Sequence, residues 1–446
     1  MGMNTMHRLL LALACCAVLA TGCGGGGNSS VTTITGPGVS AGTQGPVVTT
    51  GFVQAANNLA VAVDGGPAGS FSLGAANILY ATVTVCVPGT QAACRTIDHV
   101  QVDTGSVGLR ILASKVGGLG LPAVQLAPGS VAVECYPFVI GGLWGPNAVA
   151  DVRMGQEWAP AVPIQLIDDD PNTKLAPPLD CVNAASGQVL SSASALASNG
   201  VLGIGSVTLD CGLNCTQGNY TGGYVQYYSC PAAATSALQC APVAVPANLQ
   251  VFNPVAALPL DNNGVVLSLP QVTGLGAARA EGELIFGVGT RSNNQLAPGA
   301  AKVNLGVQYI ANPDSYLSVT TLYQGRSFAN SYLDTGTNGL FFDDPAIARC
   351  ASSSWYCPAS GAQETAILSD GDLPQANQVP VQFGVANADA LFSTTNVAFA
   401  QLAGAQGGSP SAAQAFAWGL PFFYGRRVFL SIWKQSGAEA GPWYAF

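Results

Sequence analysis

Short segments of the chain alternate between apolar and polar side chains with the period of two that is typical of half-buried β-strands. The clearest segment is 79–85, where Leu79, Ala81, Val83 and Val85 alternate with Tyr and Thr residues. Comparable apolar runs predict further strands at 97–102, 130–133, 148–154, 162–167, 265–269, 283–288, 302–309, 317–323, 379–383, 397–402 and 428–433. Because Gly and Pro residues separate these many short runs, the pattern predicts an all-β fold.

Helical signals are few and short. Asp344 followed by Pro345 is typical of a helix N-terminus and predicts a short helix that runs towards Cys350. The segment 411–418 is a second helical candidate. The dipeptide at 324–325, Gln-Gly, predicts a tight turn between two strands.

Two segments that follow apolar runs share one pattern. Residues 102–109 read Val-Asp-Thr-Gly-Ser-Val-Gly-Leu, and residues 333–340 read Leu-Asp-Thr-Gly-Thr-Asn-Gly-Leu. A lone Asp-Thr-Gly would be read as a turn whose Asp bonds its own backbone. Two copies with agreeing flanks instead indicate two related halves, in which Asp103 and Asp334 each contribute a carboxylate to one shared site.

Composition narrows the class of protein. The chain has 446 residues, of which 49% are hydrophobic and 8% charged, and its net charge is −9. Nucleic-acid binding requires clustered Lys and Arg, so we expect no nucleic-acid partner. Disorder requires few apolar residues and high charge, so we expect a folded chain that is long enough for one large bilobal unit.

Histidine is scarce, which limits the possible chemistry. The only two are His7, in the leader, and His99. A Ser-His-Asp triad would therefore depend on His99, and the Gly-x-Ser-x-Gly match at 38–42 lacks a strand–turn–helix context. The chain has no His-Glu-x-x-His segment and no Cys-x2-Cys segment, so we expect neither a metal nor a cofactor. Asp and Glu remain the acid–base groups.

The N-terminus has the features of an export signal. Residues 1–22 contain a short polar start and an apolar run too short to span a membrane, and they are followed by Cys23. The segment resembles a bacterial lipoprotein signal, which implies lipidation at Cys23; cleavage of a plain secretory peptide is the alternative. Residues 23–52 are rich in Gly, Ser and Thr and predict a flexible tether. We expect an exported cell-envelope protein held to the membrane by this lipid only, and Gly24 fits sorting to the outer membrane.

Ten cysteines lie beyond Cys23, and an even number in an exported chain favours disulfides. Pairing of sequence neighbours leaves one long-range pair, although ten cysteines allow many other pairings. The predicted pairs are Cys86–Cys94, Cys211–Cys215, Cys230–Cys240, Cys350–Cys357 and Cys135–Cys181.

The two Asp-Thr-Gly segments resemble the catalytic loops of the pepsin-like aspartic peptidases, which carry Asp-Thr-Gly-Ser in one lobe and Asp-Thr-Gly-Thr in the other. The segments 199–205, 283–289 and 418–432 are similar to further elements of that family and occur in the same order. The resemblance implies an all-β, bilobal double-psi barrel architecture. It places the N-terminal lobe at 53–289, with an insertion at 206–248, and the C-terminal lobe at 290–446.

The resemblance also implies roles for individual residues. Asp103 and Asp334 would activate a water molecule that hydrolyses a peptide or protein substrate in the cleft between the lobes, in a monomer. The supporting residues fall into three pairs: Thr104 and Thr335 would lock the loops together, Gly105 and Gly336 would let the substrate approach, and Ser106 and Thr337 would bond the outer carboxylate oxygens. Tyr136, in the segment 134–145, is the candidate tyrosine of the hairpin that closes the cleft.

The sequence departs from the family at two positions. Pro421 falls where the family has Gly in its second hydrophobic-hydrophobic-Gly element, and Arg110 stands where Trp commonly follows the first motif. The variant motifs also resemble an exported bacterial family with no assigned function. A non-catalytic peptide-binding lipoprotein on the same scaffold is therefore the alternative function, and a structural surface protein is a third.

Overall fold

A computed structural model describes ten segments of the chain: 45–52, 54–67, 76–170, 175–184, 187–218, 225–306, 317–374, 376–406, 414–433 and 442–446. The predicted signal segment 1–22, Cys23 and most of the tether lie outside the described residues.

The described segments are dominated by strands, which confirms the all-β prediction. They contain 24 strands: β1 Val47–Thr49, β2 Asn58–Val63, β3 Leu79–Cys86, β4 Cys94–Asp103, β5 Val107–Leu112, β6 Gln125–Ala127, β7 Ser130–Phe138, β8 Gly141–Met154, β9 Glu157–Ile167, β10 Gly200–Ile204, β11 Tyr227–Pro231, β12 Ala241–Pro242, β13 Gly264–Ser268, β14 Arg279–Phe286, β15 Lys302–Asn304, β16 Val319–Tyr323, β17 Arg326–Leu333, β18 Leu340–Phe341, β19 Ala362–Ser369, β20 Val379–Val385, β21 Ala403–Gly404, β22 Ala417–Trp418, β23 Arg427–Ser431 and β24 Trp443–Ala445.

The helices of the described segments are short. The α-helices are α1 Leu179–Ala184, α2 Ala193–Leu196, α3 Leu213–Gln217 and α4 Ala388–Phe392, and the 3-10 helices are Ala113–Val116, Ala237–Gln239, Ala247–Leu249, Ser292–Asn294 and Leu420–Phe423. Among the residues described, no helix combines the length and the apolar character needed to cross a membrane.

The strands form two sheet systems, one for each half of the chain. The larger system has 17 strands and the smaller has seven, β16 to β22. The last two strands return to the larger system, where β23 pairs with β13 and β24 pairs with β15. Apolar side chains from both systems, such as Val102 and Leu333, belong to one continuous buried cluster. The two Asp-Thr-Gly segments therefore extend from opposite sides of one core.

Both helices predicted from the sequence are wrong where the structure describes them. Asp344 accepts from the Ala346 N–H at 2.8 Å, as a capping Asp would, but Pro345 is followed by a turn only. The chain cannot continue as a helix, because the Cys350 N–H donates to the Trp355 carbonyl at 2.9 Å and the Cys357 N–H donates to the Ala348 carbonyl at 2.7 Å. Within 411–418, Ala417 and Trp418 form strand β22. The turn at 324–325 is confirmed, with both residues at positive φ between β16 and β17.

Candidate active site

The first Asp-Thr-Gly loop is held open by a strand from much later in the chain. β10 lies between β4 and β5, parallel to the first and antiparallel to the second. Leu202 is thus opposite both Val102 and Leu109, while Gly203 is opposite Asp103. A Cβ on Gly203 would lie 2.7 Å from the Val107 backbone nitrogen, so only glycine fits where the strand passes through the loop.

The second loop repeats this arrangement residue for residue. β22 lies parallel to β17 and antiparallel to β18, with Trp418 opposite Leu333 and Leu340. A Cβ on the next residue, Gly419, would lie 2.2 Å from the Gly339 carbonyl oxygen. Both halves therefore have the ψ-shaped loop of a double-psi architecture, which confirms that prediction.

The glycine of the second hydrophobic-hydrophobic-Gly element is Gly419, so the departure assigned to Pro421 is wrong. Ala417-Trp418-Gly419 is the element that threads through the second loop. Pro421 comes after it, in the buried 3-10 turn Leu420–Phe423, where a fixed φ suits the first turn. The sequence contains the element Ala417-Trp418-Gly419, but the aromatic residues that follow it also resemble the family's segment. The glycine position was therefore assigned two residues too late.

Two buried threonines bind the loops to each other. The Thr104 N–H donates to Oγ1 of Thr335 at 3.1 Å, and the Thr335 N–H donates to Oγ1 of Thr104 at 3.0 Å. The Thr335 hydroxyl donates onward to the Val102 carbonyl at 2.7 Å, and the Thr104 hydroxyl to the Leu333 carbonyl at 3.4 Å. This near-symmetric exchange fixes the spacing of the two strand ends that carry Asp103 and Asp334.

Each Asp carboxylate is oriented by its own loop in the same way. In the first loop, the Gly105 N–H donates to Oδ1 of Asp103 at 2.8 Å and the Ser106 hydroxyl donates to Oδ2 at 2.5 Å. In the second loop, the Gly336 N–H and the Thr337 hydroxyl donate to Asp334 at 2.7 and 2.6 Å. Four short bonds thus hold two carboxylates that the chain places far apart in sequence.

The two carboxylates are close to each other because both loops have glycine at the crossing point. A Cβ on Gly105 would lie 2.7 Å from Oδ1 of Asp334, and a Cβ on Gly336 would lie 2.6 Å from Oδ1 of Asp103. Gly105 is exposed, whereas Asp103 is buried and Asp334 is mostly buried, so solvent reaches the pair from the Gly105 side only in part.

The surroundings of Asp334 change its pKa. Burial raises the pKa of Asp334 well above its usual range, and the charge of Asp103, which lies within hydrogen-bonding reach, raises it further. Bonds from Thr337 and Gly336 act in the opposite direction. Asp334 therefore keeps its proton to a higher pH than an isolated carboxyl does.

Asn77 reaches the second loop from the first half and was not found from the sequence. Its Nδ2 donates to the carbonyls of Asn338 and Phe399, both at 2.9 Å, and its Oδ1 accepts from the Tyr424 hydroxyl at 3.0 Å. Asn77 is buried and has positive φ, which Asn adopts more readily than most residues. An isolated Asn just before a strand gives no periodic signal.

Tyr136 lies on a hairpin, as its segment predicted. β7 and β8 pair up to Phe138 and Gly141, with a two-residue turn between them. The Tyr136 ring stacks on the guanidinium of Arg110, whose Cζ lies 3.6 Å from the ring centroid. Arg110 belongs to β5, directly after the first loop, so Tyr136 packs on the strand that leaves Asp103.

Arg110 is the centre of a buried ionic group that sequence reasoning missed. Its Nη2 bonds Glu134 at 2.8 Å and Asp210 at 3.0 Å, and all three side chains are inaccessible to solvent. Asp210 and its partner Tyr227 come from the predicted insertion 206–248, whose strand β11 pairs with β7 of the hairpin. The available signal was an Arg within β5, a strand whose other residues are glycine or apolar.

All five predicted disulfides are confirmed. Cys86–Cys94 joins β3 to β4, and Cys135–Cys181 joins the hairpin to α1. Cys211–Cys215, Cys230–Cys240 and Cys350–Cys357 are local. Five disulfides indicate an extracellular or periplasmic protein.

Fold and site together define an all-β protein with two interlocked ψ loops, each of which presents one Asp to its partner. The chain belongs to the family described as "Protein of unknown function (DUF3443)", whose model matches residues 53–446. Among solved structures, it is similar to an aspartic proteinase from Irpex lacteus, with 14% identity, 87% of this chain and 96% of that chain covered, and a TM-score of 0.47. No curated protein sequence matches the chain.

Proposed function

We propose that the protein is an aspartic-type endopeptidase, in which Asp103 and Asp334 activate one water molecule for attack on a peptide bond. The observation that carries this proposal is the interlocked pair of loops, which brings two carboxyls within hydrogen-bonding reach with a raised pKa at Asp334. A pair with one proton and one charge contains both a general acid and a general base.

The pair accounts for each proton of the hydrolysis. The ionised carboxylate takes a proton from the water, whose oxygen attacks the scissile carbonyl carbon, while the protonated carboxyl donates to the carbonyl oxygen. The resulting gem-diol collapses when one hydroxyl proton returns to the pair and the leaving nitrogen gains a proton, which breaks the C–N bond. Ser106 and Thr337 hold the outer oxygens, so the inner oxygens face the water. We assign the acid and base roles to the pair, not to either Asp alone.

The substrate is an extended segment of peptide or protein. Gly105 and Gly336 flank the pair, and their missing Cβ atoms leave room for the carboxylates of Asp334 and Asp103. The non-catalytic peptide-binding alternative was based partly on Pro421 replacing the glycine of the second element. That ground no longer applies, because the glycine is present as Gly419.

We further propose that the chain is exported, lipidated at Cys23 and tethered by residues 23–52 to the outer membrane. The boundary between the lobes would fall at 289/290, and the protein would act as a monomer. The five disulfides support the exported location.

Digestion of unfolded casein tests the enzyme proposal. The chain from Gly24 onwards is incubated with casein from acid to neutral pH, with and without pepstatin, an inhibitor of aspartic peptidases. We expect cleavage that pepstatin suppresses. A folded sample that cleaves nothing at any pH would contradict the proposal and leave the peptide-binding alternative.

A further inference from the structure

Arg110 makes more contacts than a structural cation in a strand requires. Besides its bonds to Glu134 and Asp210, its Nη1 donates to the Val107 carbonyl of the first loop at 2.6 Å. The same Nη1 lies 3.3 Å from where a Cβ of Gly108 would stand. The guanidinium is thus fixed to the loop that begins at Asp103, with its face left for the ring of Tyr136.

The surroundings of Arg110 contain more acidic than basic groups. Two acids face one cation. Burial raises the pKa of Asp210 well above its usual range, the nearby Glu134 raises it further, and Arg110 only partly offsets this. A proton kept on Asp210 leaves the group neutral, with Arg110 paired to Glu134. A neutral group is what a site without solvent tolerates best.

This group links three parts of the chain. Arg110 follows the first loop, Glu134 belongs to the hairpin and Asp210 belongs to the insertion. The insertion adds two further donors, because Gln226 Nε2 and the Tyr227 hydroxyl bond Asp210 at 3.0 and 2.9 Å.

Arg110 contacts the hairpin at two residues of β7, Glu134 and Tyr136, because of their spacing along the strand. Residues i and i+2 of a strand face the same side, so Glu134 and Tyr136 both point at Arg110. Glu134 makes the ion pair and Tyr136 makes the stacking contact. The hairpin therefore cannot shift along β5 without breaking both contacts.

We propose that Arg110 is a positioning residue that sets the hairpin and its Tyr136 in register with the first Asp loop, with the Glu134–Asp210 pair as its anchor. The inference rests on the proposed peptidase function for its kinetic consequence, but not for its structural one. Lysine cannot replace Arg110 in this role, because a planar fork is needed to bond Val107, Glu134 and Asp210 while stacking on a ring.

Hydrogen exchange tests the structural consequence without any substrate. In Arg110→Lys, we expect backbone amides of residues 130–154 to exchange faster by about fivefold or more, while those of β19 and β20 in the other half stay unchanged. Arg153→Lys is the matched control, since Arg153 is an exposed Arg on the same hairpin, and its exchange should equal that of the wild type. Unchanged exchange at 130–154 in Arg110→Lys, or an equal rise in both halves, would overturn the proposal.

Tyr136 variants keep the inference testable if Arg110→Lys fails to fold. Tyr136→Phe keeps a ring on the guanidinium and should retain the wild-type exchange of 130–154, whereas Tyr136→Leu should accelerate it. Equal exchange in the two Tyr136 variants would contradict a stacking role.

Kinetics test the consequence for catalysis. Arg110→Lys and Tyr136→Leu should each lower kcat/KM for casein-derived peptides by about 10- to 100-fold, and the double variant should lose no more than the worse single one. If the loss of kcat/KM in the double variant equalled the product of the two single losses, the two residues would not share one role. If the wild type cleaves nothing, the proposed function fails, and hydrogen exchange alone decides whether Arg110 positions the hairpin.

Discussion

The two Asp loops are equivalent in backbone and chemistry, but the layers beneath them differ completely. Both loops continue as Gly-Leu, and the next residue is Arg110 in the first half and Phe341 in the second. Arg110 enters a buried ionic group, whereas Phe341 packs on Trp355 with ring centroids 5.1 Å apart. The strand threaded through the second loop likewise carries Trp418, which stacks on Phe416 at 4.2 Å, where the first has Leu202.

The Asp loops are constrained by the bonds that their carboxylates need, whereas the layers beneath them are constrained by what packs against them. Both carboxylates need the same donors, so the loops match. The layer below needs only to exclude water and to be closely packed, and a cluster of aromatic side chains meets both needs in the second half. In the first half the layer must also hold the hairpin, and directional bonds from Arg110 do so where apolar packing would allow sliding.

The threading glycines should be the most sensitive positions in both halves. Gly203→Ala and Gly419→Ala should each lower the free energy of unfolding by on the order of 4–5 kcal/mol, because a Cβ would strike backbone atoms that cannot move. Urea unfolding measures this. Gly65→Ala is the control, since a Cβ there meets nothing within 4 Å. The two loops would not be equivalent if Gly419→Ala folded with normal stability while Pro421→Ala did not fold, because Pro421 and not Gly419 would then be the sensitive position.

The layers beneath the loops should respond unequally to substitution. Arg110→Met should cost about 3–5 kcal/mol near neutral pH, because it leaves buried acids without their cation. Phe341→Leu should cost about 1 kcal/mol, since it keeps an apolar side chain of similar volume. Unfolding of both variants in urea provides the comparison, and equal losses would contradict an ionic anchor in the first half only.

The threonines that join the loops should contribute equally from both halves. Thr104→Val or Thr335→Val leaves the other residue's buried N–H without an acceptor, which should cost about 1–3 kcal/mol in either case. The double variant should cost less than the sum, because both changes break one network. A double-variant cycle by thermal unfolding measures this coupling, and strict additivity would argue against a reciprocal exchange.

The free energy of unfolding should depend on pH in the same direction at both acid pairs, with a smaller effect than those of the substitutions above. Asp334 and Asp210 have folded-state pKa values raised above the usual 3.8, so the stability they contribute is complete below that value and is lost as pH rises. Replacing either one by Asn should make the free energy of unfolding, measured by urea at a series of pH values, fall less steeply as the pH rises above about 4.

The control for this measurement is Asp389→Asn, an exposed Asp on α4. The groups that face Asp210 are Arg110, Glu134 and Tyr227, and none of them is altered in these variants. A wild-type slope that persists in Asp210→Asn would mean that Glu134 and Asp210 share no proton in the folded state.

The sequence predicted those parts of the site that local pattern determines. Apolar runs predicted the strand that delivers Asp103, the turn at 324–325 predicted a strand before Asp334, and the repeated motif predicted that the two Asp residues meet. Cysteine spacing predicted the five disulfides. Apart from Cys135–Cys181, the two cysteines left over after neighbours were paired, the relevant residues are neighbours in sequence or repeat one another.

The rest depends on contacts that only the fold creates. Arg110 meets Glu134 and Asp210 at separations of 24 and 100 residues, with no periodic signal to connect them. The helix expected after Asp344 does not form because Ala348 and Cys350 bond to the backbone of Cys357 and Trp355 instead of to a preceding helical turn. Gly419 was missed because the segment from Trp418 onwards was matched to the family two positions too late, and only the register of β22 shows that Ala417-Trp418-Gly419 is the threading element.

The central claim is that Asp103 and Asp334 act as one catalytic pair, and the kinetics of their Asn variants test it most directly. The chain from Gly24 onwards is compared with Asp103→Asn, Asp334→Asn and the control Asp389→Asn for release of peptides from casein at the pH of highest activity. We predict that both dyad variants fold but lose activity by about 10²–10⁴-fold or more, while the control retains it. Full activity in either dyad variant would contradict the account.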